Sequence, residues 1–380
     1  MLTSWERYMP FPDASDSADS SRRGEPERRT VGLFSSHVPR ELVYALGCTP
    51  VRVFPSAVKS TAAEAYLPNN FCALHRLILA SYLADEPPNL DGMIFADEDD
   101  TARRLHDVWR ASIDIPVWAF LEVPRSATPL AVQRFTENLN RAVPALEAHS
   151  QAKLEVSALQ RAIETYNEQR RLTASLKRHW LMHNLDTATY RRLRRFGLTR
   201  DPALANRQLG SAIDQLLSSE PEPRPAPSSG HSSRGHLLLL AELAAPTAFV
   251  RLIEAHGARL VAEDSDLDER DVTTTVAAEA TTLEGLLAQL ACAYLEKPPG
   301  PRNRRLSQRL AYLERLVIER EVRAAICVYG KFCDLFLAEF PAIKSHLENL
   351  GVPVLLLEVE DENVSGQHRT RVEAFLELMN

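Results

Sequence analysis

The sequence predicts an α/β protein with two parallel-sheet domains of the Rossmann or flavodoxin kind, joined by a helical segment. In residues 31–120 and 236–380, apolar runs of strand length alternate with stretches whose apolar residues recur at helical spacing. This alternation is typical of βαβ units and a parallel sheet. From about Pro129 to Gln215 the strand-length runs are missing and helical spacing continues, which predicts the joining segment.

The N-terminal α/β domain is predicted over residues 31–150. Its elements, in order, are a strand beginning at Val31, helix Pro39–Leu46, strand Val51–Phe54, helix Ala73–Leu83, strand Gly92–Phe95, helix Thr101–Trp109 and strand Ile115–Phe120. Gly47 is expected to end the first helix, because glycine readily adopts the left-handed conformation found after helix C-termini. Cys72 directly precedes the second helix, and the acidic turn Asp97–Asp100 directly precedes the third.

A helical segment is predicted over residues 151–217. Its apolar residues fall at spacings of four, or twice three: Leu154, Ala158, Ala162, Tyr166, Leu172, Leu176 and Trp180. Residues 218–235 are rich in proline and serine and break every pattern, so they are predicted to be a linker at a domain boundary. Residues 1–30 lack apolar periodicity and are predicted to be a disordered tail.

The C-terminal α/β domain is predicted over residues 236–380. Its elements, in order, are strand His236–Leu240, helix Thr247–His256, strand Ala258–Ala262, helix Leu283–Tyr294, helix Leu306–Arg320, strand Ala324–Tyr329, helix Leu335–Leu350, strand Pro353–Val359 and helix Arg369–Met379. Cys333 lies in the turn between the third of these strands and the helix that follows it. In open α/β sheets, ligands bind outside the carboxyl ends of the strands, where such turns lie.

Composition excludes several classes of function. The chain has 380 residues and a net charge of −7, so nucleic acid is not an expected partner. Its apolar runs are shorter than the ~18–20 residues that cross a bilayer, and its N-terminus has no signal-peptide core. Five cysteines in such a chain favour a reducing, cytoplasmic location over a disulfide framework. The sequence has no P-loop and no GxGxxG, so we expect no nucleotide to bind this chain.

Three turns that precede helices carry side chains that could bind a metal: those with Cys72, Asp97–Asp100 and Cys333. No CxxC pair is present, so a site that uses these thiols must combine turns far apart in the sequence. Each feature also has a structural interpretation. A single cysteine is often a buried, packing residue, and acidic residues at the start of a helix cap its free N–H groups.

Six blocks of the sequence, in order and at matching spacing, resemble the 2-hydroxyacyl-CoA dehydratase / benzoyl-CoA reductase family of iron–sulfur subunits. They are Phe34–Glu41 continuing through Pro50–Arg52, Leu67–Cys72, Asp91–Trp109, Tyr166–Leu172, Lys331–Asp334 and Leu356–Phe375. The resemblance implies that three cysteines from these turns hold a [4Fe-4S] cluster. Cys72 and Cys333 match two of those positions, and Asp99 stands at the third.

The resemblance also implies the reaction and the partners. It predicts a subunit that acts on a CoA thioester by low-potential one-electron chemistry, as a dehydratase or as an aromatic-ring reductase. The expected partners are a homologous second subunit, in a heterodimer or homodimer, and an ATP-dependent iron–sulfur activator protein. The missing Walker motif agrees with ATP use by the activator rather than by this chain.

Asp99 leaves three hypotheses open. As an iron ligand it would complete a site of two sulfurs and one oxygen with Cys72 and Cys333, and the cluster would be more labile than one held by thiolates alone. As a helix N-cap it would leave the chain a cluster-deficient, non-catalytic paralogue that pairs with, or regulates, a cluster-bearing subunit. The same three side chains could also bind a single Zn or Fe ion.

Overall fold

A computed structural model describes residues 28–55, 59–84, 87–182, 184–218, 234–243, 245–266, 269–302, 305–361 and 363–379. It contains two four-stranded sheets, and every strand pair in both is parallel. The predicted two-domain α/β fold is therefore confirmed. Most of the predicted tail, residues 1–30, and of the predicted linker, residues 218–235, lies outside the described residues.

The N-terminal sheet has the strand order β2-β1-β3-β4. Its strands are β1 (Thr30–Leu33), β2 (Thr49–Arg52), β3 (Gly92–Ala96) and β4 (Val117–Leu121), and its helices are α1 (Arg40–Ala45), α2 (Ala73–Tyr82) and α3 (Asp100–Ser112), with a 3₁₀ turn at Ser60–Ala63. Gly47 follows α1 with a φ of 76°, so the helix ends there as predicted. The strand order reverses between β1 and β3, and this reversal opens a crevice at the carboxyl ends of the strands.

Four helices follow: α4 (Pro129–Ser150), α5 (Val156–Leu181), α6 (Thr187–Thr199) and α7 (Pro202–Ser218). Helix α5 connects the two halves of the molecule. Leu159 and Ile163 near its start belong to the core of the N-terminal sheet, whereas Leu172 and Leu176 near its end belong to that of the C-terminal sheet. Within the described ranges, none of the helices is both long enough and apolar enough to cross a membrane.

The C-terminal sheet has the order β6-β5-β7-β8, which repeats the order of the first sheet. Its strands are β5 (Arg234–Ala241), β6 (Ala258–Asp264), β7 (Val322–Gly330) and β8 (Val354–Val359), and its helices are α8 (Thr247–Ala255), α9 (Glu269–Val272), α10 (Leu283–Leu295), α11 (Leu306–Glu319), α12 (Asp334–Asn349) and α13 (Gly366–Glu377). Central strand β7 is apolar and buried on both faces, as parallel strands covered by helices on both sides are.

The two halves interlock. Helix α10 follows the second sheet's first strands in sequence, yet its Leu286 and Leu290 pack in the core of the N-terminal sheet. The predicted domain boundaries, which assign this helix to the C-terminal domain, stay a prediction. Buried ion pairs also join the halves: Arg40 with Asp271 at 2.8 Å, and Glu98 with Arg302 at 2.6 Å.

Candidate metal centre

The candidate site lies where the carboxyl ends of the strands of the two sheets face each other. Cys72 directly precedes α2 of the N-terminal half, and Cys333 directly precedes α12 of the C-terminal half. Glu242 is the first residue after β5. Parallel strands place such turns at one edge of each sheet, and the docking of the two sheets brings the three side chains together.

The three side chains form one compact group. The two sulfur atoms and a carboxylate oxygen of Glu242 all lie within 4.8 Å of one another. Cys72, Glu242 and Cys333 are 2%, 5% and 4% exposed. The Cys72 thiol points to Glu242 Oε2 at 3.9 Å, and the Gly330 amide N–H donates to Glu242 Oε1 at 3.1 Å. The structure thus confines three acidic groups in one buried space.

The backbone holds both cysteine turns in place. The N–H of Ala73, next to Cys72, donates to the carbonyl oxygen of Lys331 across the two halves at 3.0 Å. Phe332 has a φ of 62°, a left-handed conformation that costs a bulky side chain about 1–3 kcal/mol. The Cys333 N–H then donates to the Gly330 carbonyl at 3.1 Å. This strained turn directs the Cys333 side chain inward.

Both cysteines occupy the N-cap position of a helix, and neither uses its side chain to cap the helix. The free N–H groups at a helix N-terminus carry partial positive charge, which favours an anion nearby. Thiols at helix N-termini are accordingly better metal ligands, because the thiolate form is stabilised. Two helix N-termini converge on this site.

Burial and mutual contact favour the protonated forms of Cys333 and Glu242. The hydrogen bond with the Cys72 thiol, together with burial, raises the pKa of Cys333 well above its ordinary value. Burial raises the pKa of Glu242, although its hydrogen bonds with Cys333 and Gly330 oppose the shift. A bound cation would have to displace these protons, as it does in thiolate metal sites generally.

Asp99, the third predicted ligand, caps α3. Its Oδ1 accepts a hydrogen bond from the N–H of Ala102 at 2.6 Å. Within the part of the chain that the structure describes, the compact group of donor atoms contains Glu242 and not Asp99. The role of Asp99 as a ligand therefore stays a prediction. Sequence reasoning missed Glu242, although the same strand-end rule that selected the cysteine turns applies to a carboxylate directly after β5.

The acidic turn that contains Asp99 does not form one acidic surface facing the site. Asp97 forms an ion pair with Arg103 at 2.5 Å, and Asp100 is exposed. Glu98 alone is buried together with a cation, Arg302, whose Nε lies 2.6 Å from Glu98 Oε2. Burial disfavours the charged form of Glu98, but Arg302 and the ring of His37 outweigh it and lower its pKa.

Little space is free beside the group. A pocket of about 40 Å³ borders Glu242 and Gly330. A cavity needs about 10–15 Å³ to hold one water, so this pocket holds about three waters at most. A larger cavity of about 530 Å³ lies elsewhere, lined by residues that include Lys297, Tyr312 and Arg315, and none of the three donors borders it.

The other three cysteines lie apart from the group. Cys48 and Cys327 are buried, and Cys292 is partly buried. Burial raises the pKa of Cys327 to about 12 and that of Cys48 to about 11. Such thiols stay protonated, which agrees with the packing role expected of a buried cysteine.

Comparison with known families defines the class of protein. Residues 35–379 match the family described as 2-hydroxyglutaryl-CoA dehydratase, D-component. The match extends over most of the chain, so the chain belongs to this family. The resemblance inferred from the six sequence blocks is thereby confirmed.

Three relatives show the same relationship over nearly their whole length. The chain is 22% identical to the beta chain of (R)-phenyllactyl-CoA dehydratase from Clostridium sporogenes, over 93% of this chain and 92% of that protein. It is 21% identical to one of the benzoyl-CoA reductase subunits of Thauera aromatica, over 91% and 89%. It is 21% identical to the beta chain of lactoyl-CoA dehydratase from Anaerotignum propionicum, over 94% and 93%. All three relatives are named as subunits of complexes.

Proposed function

We propose that this chain is a subunit of a complex that dehydrates a 2-hydroxyacyl-CoA thioester or reduces an aromatic one, and that it pairs there with a homologous, cluster-bearing subunit. In this proposal the chain itself holds no [4Fe-4S] cluster. Family membership and the subunit names of the relatives support the first part. The donor set at the candidate site supports the second.

The observation that carries the cluster-free assignment is that two thiols and one carboxyl meet at the site. A [4Fe-4S] cluster is held by cysteine thiolates, and within the described ranges no third thiol joins Cys72 and Cys333. Asp99, at the position where the resemblance implies a cysteine, is engaged by the N–H of Ala102. The residues present therefore fit a three-thiolate cluster poorly.

Space and charge support the same conclusion. The donor atoms lie within 4.8 Å of one another, closer than ligands that must surround a cube of four irons and four sulfides. Arg302 is buried near Cys333 and is fixed by ion pairs to Glu98 at 2.6 Å and to Asp266 at 3.1 Å. These ion pairs place a buried, charged network beside the two cysteines.

In this proposal the chain binds the cluster-bearing subunit and covers its active site, and it transfers no electrons itself. The interlocked halves present a rigid surface to the cluster-bearing subunit, which receives electrons from the ATP-dependent activator and binds the CoA thioester. A water-poor pocket is required to protect a radical intermediate, and a second subunit that covers the partner's site would supply it. The pairing in this proposal is with a distinct homologue, because a second copy of this chain would bring no cluster.

Iron and sulfide analysis tests the cluster assignment. The chain is purified anaerobically, reconstituted with iron and sulfide, and measured beside a cluster-bearing relative treated identically. We expect at most about one iron per chain and no matching sulfide, whereas a cubane requires about four irons and four sulfides. Formation of a stable complex with a cluster-bearing homologous subunit, measured by light scattering, is the second expected result. About four irons with equal sulfide in the isolated chain would overturn the proposal.

The alternative is an iron–sulfur subunit that holds a [4Fe-4S] cluster through Cys72, Cys333 and Asp99. One observation favours it: the two thiols are adjacent and both lie at helix N-termini, which stabilise anionic ligands. This assignment stays a prediction, and the same iron and sulfide measurement decides between the two.

A further inference from the structure

We infer that Cys72, Cys333 and Glu242 bind one divalent transition-metal ion of the zinc type. This inference rests on the proposed cluster-free function and names the ligand of the same site. Its geometric basis is that three donor atoms from three separate chain segments lie within 4.8 Å of one another in a buried space.

The spacing fits a single ion. Tetrahedral zinc has Zn–S bonds of about 2.3 Å, which places two sulfur ligands about 3.8 Å apart. A separation below 4.8 Å therefore closes around one ion after a small rotation of the side chains. Two thiolates and a carboxylate are also a donor set that zinc accepts, since it takes sulfur, nitrogen and oxygen ligands.

Glu242 is held in the orientation that a ligand needs. Its Oε1 accepts the Gly330 N–H at 3.1 Å, which leaves Oε2 toward the thiols. A Cβ at position 330 would lie 3.1 Å from Oε1, so glycine allows this close approach of backbone to carboxylate. Hydrogen bonds that orient a ligand in this way are a general feature of metal sites.

A buried histidine close to Cys72 has a ring nitrogen that lacks a partner among the described residues. His75 lies three residues after Cys72, on the same face of α2, and is 2% exposed. Its Nδ1 has no hydrogen-bond partner among the described residues. The imidazole interacts electrostatically with Asp99, Arg302 and Glu98, which places it near the same crevice. Buried polar atoms normally have partners, so this one marks space for a ligand or an ordered water.

Cobalt replaces zinc in thiolate sites and reports the ligands through its spectrum. The full chain is stripped of metal with a chelator under anaerobic conditions and titrated with Co²⁺. We expect one Co²⁺ per chain, thiolate-to-cobalt charge-transfer absorption and the visible bands of tetrahedral cobalt. Added Zn²⁺ should abolish these bands, because zinc binds such sites more tightly than cobalt does.

Variants assign the ligands. Cys72→Ser and Cys333→Ser should each reduce the charge-transfer intensity to about half, because each removes one of two thiolates. Glu242→Gln should keep that intensity but weaken Co²⁺ affinity by more than the roughly 10–100-fold typical of groups that only orient a ligand. Cys292→Ser, a partly buried cysteine outside the group, is the matched control and should change neither. Circular dichroism confirms that each variant is folded.

The outcomes separate this inference from the proposed function. Failure of the isolated chain to bind Co²⁺ stoichiometrically, or equal binding by wild type and both cysteine variants, would overturn the single-metal site and leave the cluster-free function standing. Iron with equal labile sulfide would overturn both. Tight Co²⁺ binding by a chain that does not pair with a cluster-bearing subunit would overturn the proposed function alone.

Discussion

Replacing Asp99 distinguishes a helix cap from a metal ligand. Asp99→Ala removes the 2.6 Å hydrogen bond to the N–H of Ala102 and a negative charge at the N-terminus of α3. Loss of an N-cap costs about 1 kcal/mol, and loss of the favourable charge costs about 0.3–1 kcal/mol more. We therefore expect Asp99→Ala to lower the free energy of unfolding by about 1–2 kcal/mol.

Serine is the informative comparison, since it caps a helix well but is a poor metal ligand. Asp99→Ser should recover most of the loss and differ from wild type by about 0.3–1 kcal/mol, the charge contribution. Asp100→Ala is the matched control for charge: Asp100 is exposed in the first turn of α3, so its removal should cost only the charge contribution of about 0.3–1 kcal/mol and leave the cap in place.

Urea denaturation measures these differences, and hydrogen exchange locates them. The Ala102 amide should exchange faster in Asp99→Ala and stay protected in Asp99→Ser. If Asp99→Ser were as unstable as Asp99→Ala, or if the Ala102 amide exchanged equally in all variants, capping would not be the role of Asp99. Loss of bound metal in Asp99→Ser with unchanged stability would identify Asp99 as a ligand instead.

Three further predictions concern other buried or strained groups. Arg302→Met should destabilise the protein by about 1–3 kcal/mol, because it removes a buried cation from Glu98 and Asp266, which keep only the longer contacts to His37, Arg52 and Arg270. Arg104→Met on the surface should change stability little, and urea denaturation of both variants measures the difference. Burial lowers the pKa of Lys297 to about 7, so between about pH 7 and 10 this lysine is protonated in the unfolded chain but largely neutral in the folded protein. The free energy of unfolding of the wild type should therefore rise as the pH increases through this range. Lys297→Met should flatten that rise in a pH series of denaturation curves, and a slope unchanged from wild type would contradict the reasoning. Phe332→Gly should stabilise by about 1 kcal/mol, since relief of roughly 1–3 kcal/mol of strain exceeds the roughly 0.5–1 kcal/mol entropic cost of glycine; a lower melting temperature would count against strain at this turn.

The fold could be predicted from local patterns because strands and helices have different periods. Strand-length apolar runs such as Ala324–Tyr329 lie within β7, and the predicted Ala73–Leu83 corresponds to α2, with ends that differ by a residue or two. The strand order of the sheets and the packing of α10 on the N-terminal half could not be predicted, because neither leaves a periodic signal in the sequence. Both depend on long-range docking.

The candidate site was predictable only in part. Cys72 and Cys333 were paired through family blocks, and the structure places their sulfurs side by side. Glu242 was missed because a single glutamate at the end of a strand resembles any solvated acid, and its role depends on how the two sheets meet. Glu98 was grouped with its acidic neighbours, yet its burial beside Arg302 depends on a residue more than two hundred positions away.

The ion pairs between the halves restrict which amino-acid substitutions each half can accept independently of the other. Two buried ion pairs cross between the halves: Arg40 with Asp271, and Glu98 with Arg302. Each pair has one member in the N-terminal half and one in the C-terminal half. Exchange of one half for that of a relative would remove an ionic contact from a buried charge, which destabilises the chimera even though Asp271 also contacts Arg194 and Arg302 also contacts Asp266. Chimeras that transfer both members of a pair together should therefore be more stable than chimeras that split a pair, which couples substitutions in one half to substitutions in the other.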